Sequence, residues 1–257
     1  HEIPAQDISY AAFTLGACYR NFPAGTIHVA VVDPGVGSSR RAIVVKAGEQ
    51  FFVGPDNGIF SYVYQQEEQA KVLQIERDDL FRQPVSATFP SQTFHGRDVF
   101  APIAAHLSTG LSPESVGREI ADFVKFEIPR PIVSEEGRRI TGSIIHIDRF
   151  GNCITNLTER ELLPEQFNQS QISNLKSQTQ RSNFNAQISN LKFEIKLLFA
   201  GQQITQFGSH FAQAKQQGEL FAYPGSAGYW EIALWCDSAA EKFAVNRGSE
   251  VILDYGS

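Results

Sequence analysis

Apolar residues at Ile8, Ala11, Ala12, Leu15 and Tyr19 recur at three- and four-residue steps, the period of one helical face. They predict a helix over Gln6 to Phe22, stopped by Pro23 and Gly25. A β-branched run from Thr26 to Val32 then predicts a buried strand, which Pro34, Gly35 and Gly37 keep from continuing, so Asp33 falls at its C-terminal end. Ala42 to Ala47 and Gln50 to Val53 alternate or run apolar on either side of Gly48-Glu49 and predict a hairpin. Turn residues Gly54 to Gly58 open onto the aromatic-rich Ile59 to Tyr64. Val99 to Leu107 has helical spacing that Gly110 ends, which puts His95 at or just before a helix N-terminus.

Past Pro129, Pro131 and the polar Ser134 to Gly137 the rhythm changes. Ile140 to Ile147 alternates, Asp148 to Asn152 reads as a loop, and Phe193 to Phe199, Tyr229 to Trp235 and Val251 to Leu253 read as strands. The expected organisation is an N-terminal α/β domain over 1–132, a linker at 133–138 and a mostly β domain over 139–257. Within the second, Gln171 to Lys176 recurs as Gln187 to Lys192 inside a run rich in Gln, Asn and Ser. Two copies are too few for a solenoid, so residues 164–192 are expected to form a mobile, solvent-exposed insertion with little bearing on chemistry.

Composition narrows the classes. Across 257 residues, 42% are hydrophobic and 19% charged, which fits a globular chain of one large domain or two ordinary ones. The 22 basic and 28 acidic residues give a net charge of −6 without a basic run, so nucleic acid is not expected as a partner. No stretch approaches the ~18 apolar residues of a membrane span and the start lacks a signal-peptide pattern, so no membrane partner and a cytoplasmic location are expected. Cys18, Cys153 and Cys236 have no C-x-x-C spacing and read as structural thiols. His95, Asp98 and His106 lack the H-x-x-x-H or H-E-x-x-H step, so no metal site is expected. There is no methionine even at position 1, and the chain as given is expected to begin after the translational start.

Candidate chemistry concentrates in V-V-D-P-G-V-G-S-S-R-R, Val31 to Arg41. A carboxylate at a strand end, followed by a glycine turn and two arginines, suits a small-molecule site. The same residues also suit a turn-capping Asp with two solvated arginines. A His at a helix N-terminus is kept neutral by the helix dipole, and serves either chemistry or capping.

Taken in order, V-V-D-P-G-V-G-S-S-R-R, G-P-D-N-G, F-H-G-R-D and I-D-R-F-G-N-C-I-T-N-L resemble the S-adenosyl-L-methionine hydroxide adenosyltransferases, hydrolytic relatives of fluorinase and chlorinase. The resemblance implies an α/β N-terminal domain with a mixed or parallel sheet flanked by helices and a barrel-like β C-terminal domain. It also implies a homotrimer with the substrate between the N-terminal domain of one subunit and the C-terminal domain of its neighbour. S-adenosyl-L-methionine is the implied substrate, with no cofactor, and adenosine and L-methionine the products of attack by water at ribose C5′. The family's catalytic trio falls on Asp33, Arg40 and His95, and its substrate contacts on Phe94, Asp148, Phe150, Asn152 and Ser226. The halogenases lack the trio, which points to water as nucleophile; a halogenase of the same fold and an inactive nucleoside-binding trimer are the alternatives.

Several features depart from the family pattern, among them Gly225 where its N-S-x-G motif has Asn. Its opening T-D-F-G strand is not in this chain, Trp235 stands in place of an Asn, and Asp237 in place of a Gly near the adenine. Moving a proton from bulk water to a neutral His costs roughly 12 kcal/mol, so the implied roles are His95 accepting the proton, Arg40 stabilising the anion and Asp33 orienting water or Arg40. Whether Arg40 or Arg41 points inward is open from residue types alone; the seven-residue step from Asp33 in the family favours Arg40.

Overall fold

In the computed structural model, which describes residues 3–82, 91–158, 161, 195–208, 210–213 and 218–255, α1 occupies Ile8–Cys18. Asp7 caps it by accepting from the Tyr10 N–H at 2.9 Å. The chain divides into two units, His1–Ile128 and Pro129–Ser257.

The first unit continues with β1 (Ile27–Val29), β2 (Ala42–Ala47), β3 (Gln50–Pro55), α2 (Ser61–Gln66), β4 (Lys71–Gln74), α3 (Ala101–Ser108) and β5 (Glu119–Ile120). They form a five-stranded sheet in the order β1-β3-β2-β4-β5. Only the β1–β3 pair is parallel; the other pairings are antiparallel, so the mixed character of the sheet rests on one edge. Along β2, Ile43 and Val45 pack into a cluster with Ala11, Phe52, Phe60 and Val63, while Val44 joins Val53, Val99, Phe100 and Ile103 on the opposite face. The two-residue period thus feeds two cores, with α1 and α2 covering one face and α3 the other.

The strand expected to reach Asp33 is shorter than its β-branched run suggested. It ends at Val29, and residues 30–33 continue as irregular extended chain, held by Ala30 N–H to the Val53 carbonyl (3.1 Å) and Asn57 Nδ2 to the Val32 carbonyl (2.8 Å). Asp33 therefore lies beyond the sheet edge.

The second unit holds β6 (Ile132–Val133), β7 (Arg139–Ile147), β8 (Cys153–Thr158), β9 (Lys196–Phe199), β10 (Gln202–Ile204), β11 (Leu220–Pro224), β12 (Tyr229–Leu234), α4 (Ala239–Lys242) and β13 (Glu250–Asp254). The strands run antiparallel in the order β10-β9-β13-β7-β8-β12-β11, with β6 on β7. Just past β10, the Gln206 carbonyl accepts from Ala222 N–H (3.0 Å) and Gly208 N–H donates back to the Ala222 carbonyl (2.8 Å). Ala222 belongs to β11, the opposite edge, so the sheet nearly closes into a barrel around Trp230, Phe199, Leu197, Ile204 and Ile232.

Residues 133–138, expected as a linker, begin with the end of β6 and turn through Ser134 to Gly137 into β7, closed by Gly137 N–H to the Ser134 carbonyl at 2.8 Å. The insertion expected at 164–192 lies outside the described residues. No helix among the described residues is long and apolar enough to cross a membrane.

Candidate active site

Two tight turns follow Asp33, with Val36 N–H on the Asp33 carbonyl (3.2 Å) and Ser38 N–H on the Gly35 carbonyl (3.1 Å). They fold the chain back so that the Arg40 guanidinium meets the Asp33 carboxylate. Nε lies 3.0 Å from both Oδ1 and Oδ2, and Nη2 donates to Oδ2 as well. Both side chains are almost fully buried, at 10% and 5% exposure. The same Nη2 reaches Nδ1 of His95 at 2.7 Å, and the guanidinium carbon sits 5.3 Å from the Phe100 ring centroid. Asp33, Arg40 and His95 are therefore one connected group.

Arg41 goes elsewhere. Its guanidinium pairs with the buried Asp56 at 2.7 Å and with Asp122, also at 2.7 Å, and Asp56 in turn accepts from Val124 N–H. Adjacent residues entering a strand project to opposite sides, so one arginine serves the trio and the next ties the G-P-D-N-G turn to the 122–124 segment.

His95 is brought in by packing between loops. Gly37 has φ +77°, and a Cβ there would lie 2.7 Å from the Gln92 carbonyl oxygen. The segment after Gln92 is tied down by Ser91, whose Oγ accepts from Phe94 N–H (3.3 Å), and by Asp98, which accepts from Ser91 N–H (3.2 Å) and from Arg97 Nε (2.6 Å). His95 then precedes a π-helical turn, Gly96–Phe100, that runs into α3. Gly37→Ala is expected to lower turnover about ten- to a hundredfold, because strain at positive φ and a clash with Gln92 shift His95 away from Arg40. Steady-state turnover alongside a thermal melt checks this: a variant with full activity would show that the loop contact does not set the alignment.

The hydrogen bond also fixes the tautomer of His95. A guanidinium has donors and no acceptor, so Nδ1 must carry its lone pair, and the proton of the neutral ring sits on Nε2. Burial, and next the Arg40 charge, lower the His95 pKa below its ordinary 6.5. The proton-accepting role expected of His95 thus meets an obstacle. One ring nitrogen is occupied by Arg40 and the other already holds hydrogen. Phe94, next in the chain, is exposed and carries the Arg97 guanidinium 4.8 Å from its ring centroid.

In the second unit, Asp148, Phe150 and Asn152 line an open cleft of about 660 Å³ together with Phe211, Tyr223 and Asp237, a volume suited to a small molecule. Asp148 Oδ1 accepts from the backbone N–H of Phe150 (2.8 Å) and Asn152 (2.9 Å), and Oδ2 from Asn152 Nδ2 (2.9 Å). Phe150 projects into solvent at 76% exposure. Ser226 is exposed in the β11–β12 turn and is not among the cleft's lining residues. Trp235 stacks on Phe211, centroids 5.1 Å apart, which gives the cleft an aromatic flank where an Asn was the expectation. Tyr223 and Phe211 were missed in the sequence, and the only cue to Tyr223 is its place opposite Glu231 once β11 and β12 are paired.

Family models for the SAM hydroxide adenosyltransferase N-terminal domain and C-terminal domain match residues 1–117 and 142–252. The chain is 40% identical over 162 residues to the (R)-S-adenosyl-L-methionine hydrolase of Thermus thermophilus, covering 61% of this chain and 60% of that protein. It is 36% identical over 163 residues to the protein of the same name from Methanocaldococcus jannaschii, covering 63% of this chain and 54% of the relative. These matches span little more than half the length of each relative. A crystal structure of an uncharacterized conserved protein from Thermotoga maritima superposes with a TM-score of 0.77 at 31% identity, over 99% of this chain and 86% of that one. With both of its family domains matched in order, and its four motifs carried on these two units, the chain belongs to the SAM hydroxide adenosyltransferase family.

Proposed function

We propose that this protein hydrolyses S-adenosyl-L-methionine to adenosine and L-methionine by attack of a water-derived oxygen at ribose C5′. The observation that carries the reading is the Asp33–Arg40–His95 group, in which one buried guanidinium bridges a carboxylate and a neutral imidazole. The names of the Thermus and Methanocaldococcus relatives support it. No cofactor takes part. A homotrimer with substrate between subunits and a cytoplasmic location belong to the same reading and rest on the resemblance alone.

Methionine leaves the sulfonium as a neutral molecule, so the difficulty lies with the nucleophile. Forming hydroxide at pH 7 costs about 12 kcal/mol, and a turnover of ~10 per second allows a total barrier of only about 16. The anion must therefore be held. Nε and Nη2 of Arg40 serve Asp33 and His95, and Nη1 makes only a long contact of 3.4 Å to the Arg41 carbonyl. An Nη1 hydrogen and the Nε2–H of His95 remain to donate to an oxygen anion. Asp33 fixes the guanidinium but offsets its charge, so much of the remaining pull comes from the cationic sulfonium, which the incoming anion neutralises. Hydroxide is supplied by equilibrium with solvent: it forms the C5′–O bond as the C5′–S bond breaks, and its proton has already gone to bulk water.

The test is product analysis in ¹⁸O-labelled water. Labelled adenosine is expected; unlabelled adenosine, a chlorinated nucleoside in chloride buffer, or no product would each overturn the reading.

A further inference from the structure

The polar wall of the second unit's cleft is rich in hydrogen-bond acceptors and negative charge. Asp148 is a carboxylate, so the Asn152 amide must turn its NH2 toward it, which leaves Oδ1 as an acceptor beside the second amide hydrogen. Tyr223 lines the same cleft and lies directly opposite Glu231 in the β11–β12 register. Its hydroxyl donates to Glu231 Oε2 at 2.6 Å. A phenol has a single hydrogen, so with that hydrogen taken the Tyr223 oxygen offers the cleft only lone pairs. Glycine at 225 makes room for this arrangement, since a Cβ there would lie 1.9 Å from Glu231 Oε1. Among the lining residues the charges are Asp148 and Asp237, with no Lys, Arg or His.

We infer that Glu231 is a positioning residue which, by holding the hydroxyl hydrogen of Tyr223, makes this wall select a primary ammonium group, the α-ammonium of the substrate. This rests on the hydrolase reading above. An R–NH3+ group carries three donors and no acceptor, and matches Asp148, Asn152 Oδ1 and the Tyr223 oxygen, whereas a carboxylate would face Asp148 and Asp237 with no cation on this wall to pair it. Burial first, and Asp148 second, raise the Glu231 pKa, so an arriving cation favours the ionised form that keeps Tyr223 turned. Glutamine at 231 has nearly the same shape but can donate its own NH2 to the Tyr223 oxygen. That frees the phenolic hydrogen to swing into the cleft and face the ammonium.

The experiment compares kcat/KM for S-adenosyl-L-methionine and for its analogue with hydrogen in place of the α-amino group, in the wild type, Glu231→Gln and Tyr223→Phe. With the natural substrate, Glu231→Gln is expected to lose about ten- to thirtyfold and Tyr223→Phe about three- to tenfold, the reversal of a donor costing more than its removal. With the analogue, both variants stay within about threefold of the wild type. Equal losses on the two substrates would reveal a purely structural role and overturn the inference, as would no loss on either. A wild type that releases no adenosine at all overturns the hydrolase reading and this inference with it.

Discussion

Arg40→Ala is expected to reduce adenosine release by about a thousandfold or more, since it removes at once the fixed cation, the brace on Asp33 and the donor that sets the His95 tautomer. The same change strands a nearly buried carboxylate, and breaking a buried pair on one side typically costs about 3–5 kcal/mol. A lower melting temperature should accompany the lost turnover, so Arg40→Lys is the more telling variant. Lysine keeps the positive charge but has a single nitrogen, which cannot grip both oxygens of Asp33 and reach His95. Single-turnover adenosine release is expected to fall about a hundredfold or more in the lysine variant, with a melt nearer the wild type. Lysine restoring most of the rate would show that charge alone matters and that the fork geometry does not.

For His95, substitution and pH together separate a donor from a base. His95→Ala is expected to lose about a hundred- to a thousandfold in kcat/KM. Glutamine can offer an amide oxygen to Arg40 and an N–H to the nucleophile but cannot take up a proton, so His95→Gln should recover at least about tenfold over alanine. In the wild type, the lowered His95 pKa leaves the ring neutral above ~6.5, and its titration adds no slope at higher pH. The rate should therefore climb with hydroxide, nearly tenfold per unit between about pH 7 and 9, until the bound water itself ionises. Once the pH drops below the lowered His95 pKa, activity should fall more steeply still, because imidazolium would turn an N–H against the Arg40 guanidinium. A rate already level from about pH 6.5 upward, with glutamine no better than alanine, would make His95 the base after all.

The β2–β3 hairpin was readable because two short, mostly apolar runs flank Gly48-Glu49, which interrupts them cleanly. β8 was not picked out as a strand. Its buried Thr155 and Asn156 break the apolar pattern, yet both are satisfied, Thr155 Oγ1 by the Trp230 carbonyl and Asn156 by Ser143 N–H and the Pro129 carbonyl. β1 read too long because residues 30–33 are as β-branched as the strand before them, and only the Asn57 and Val53 contacts show where the ladder ends. Residue types and order singled out Asp33, Arg40 and His95, which the structure brings into contact. They could not assign the tautomer, which depends on one 2.7 Å contact between residues far apart in the chain. Ser226 was placed by motif, but the β11–β12 turn carries it out of the cleft lining, while the neighbouring Tyr223 faces in.

The strand order of the barrel bears on the stretch between β8 and β9. Those strands are separated in the sheet by β7 and β13, and each successive pair is antiparallel, so the end of β8 and the start of β9 emerge at the same rim. Three inter-strand spacings amount to roughly 14 Å, a gap that about five extended residues can bridge. The chain spends residues 159–195 on it. Closing the barrel thus sets only a short minimum length on this crossover, so its length can change over evolution while every rung of the ladder keeps its partner.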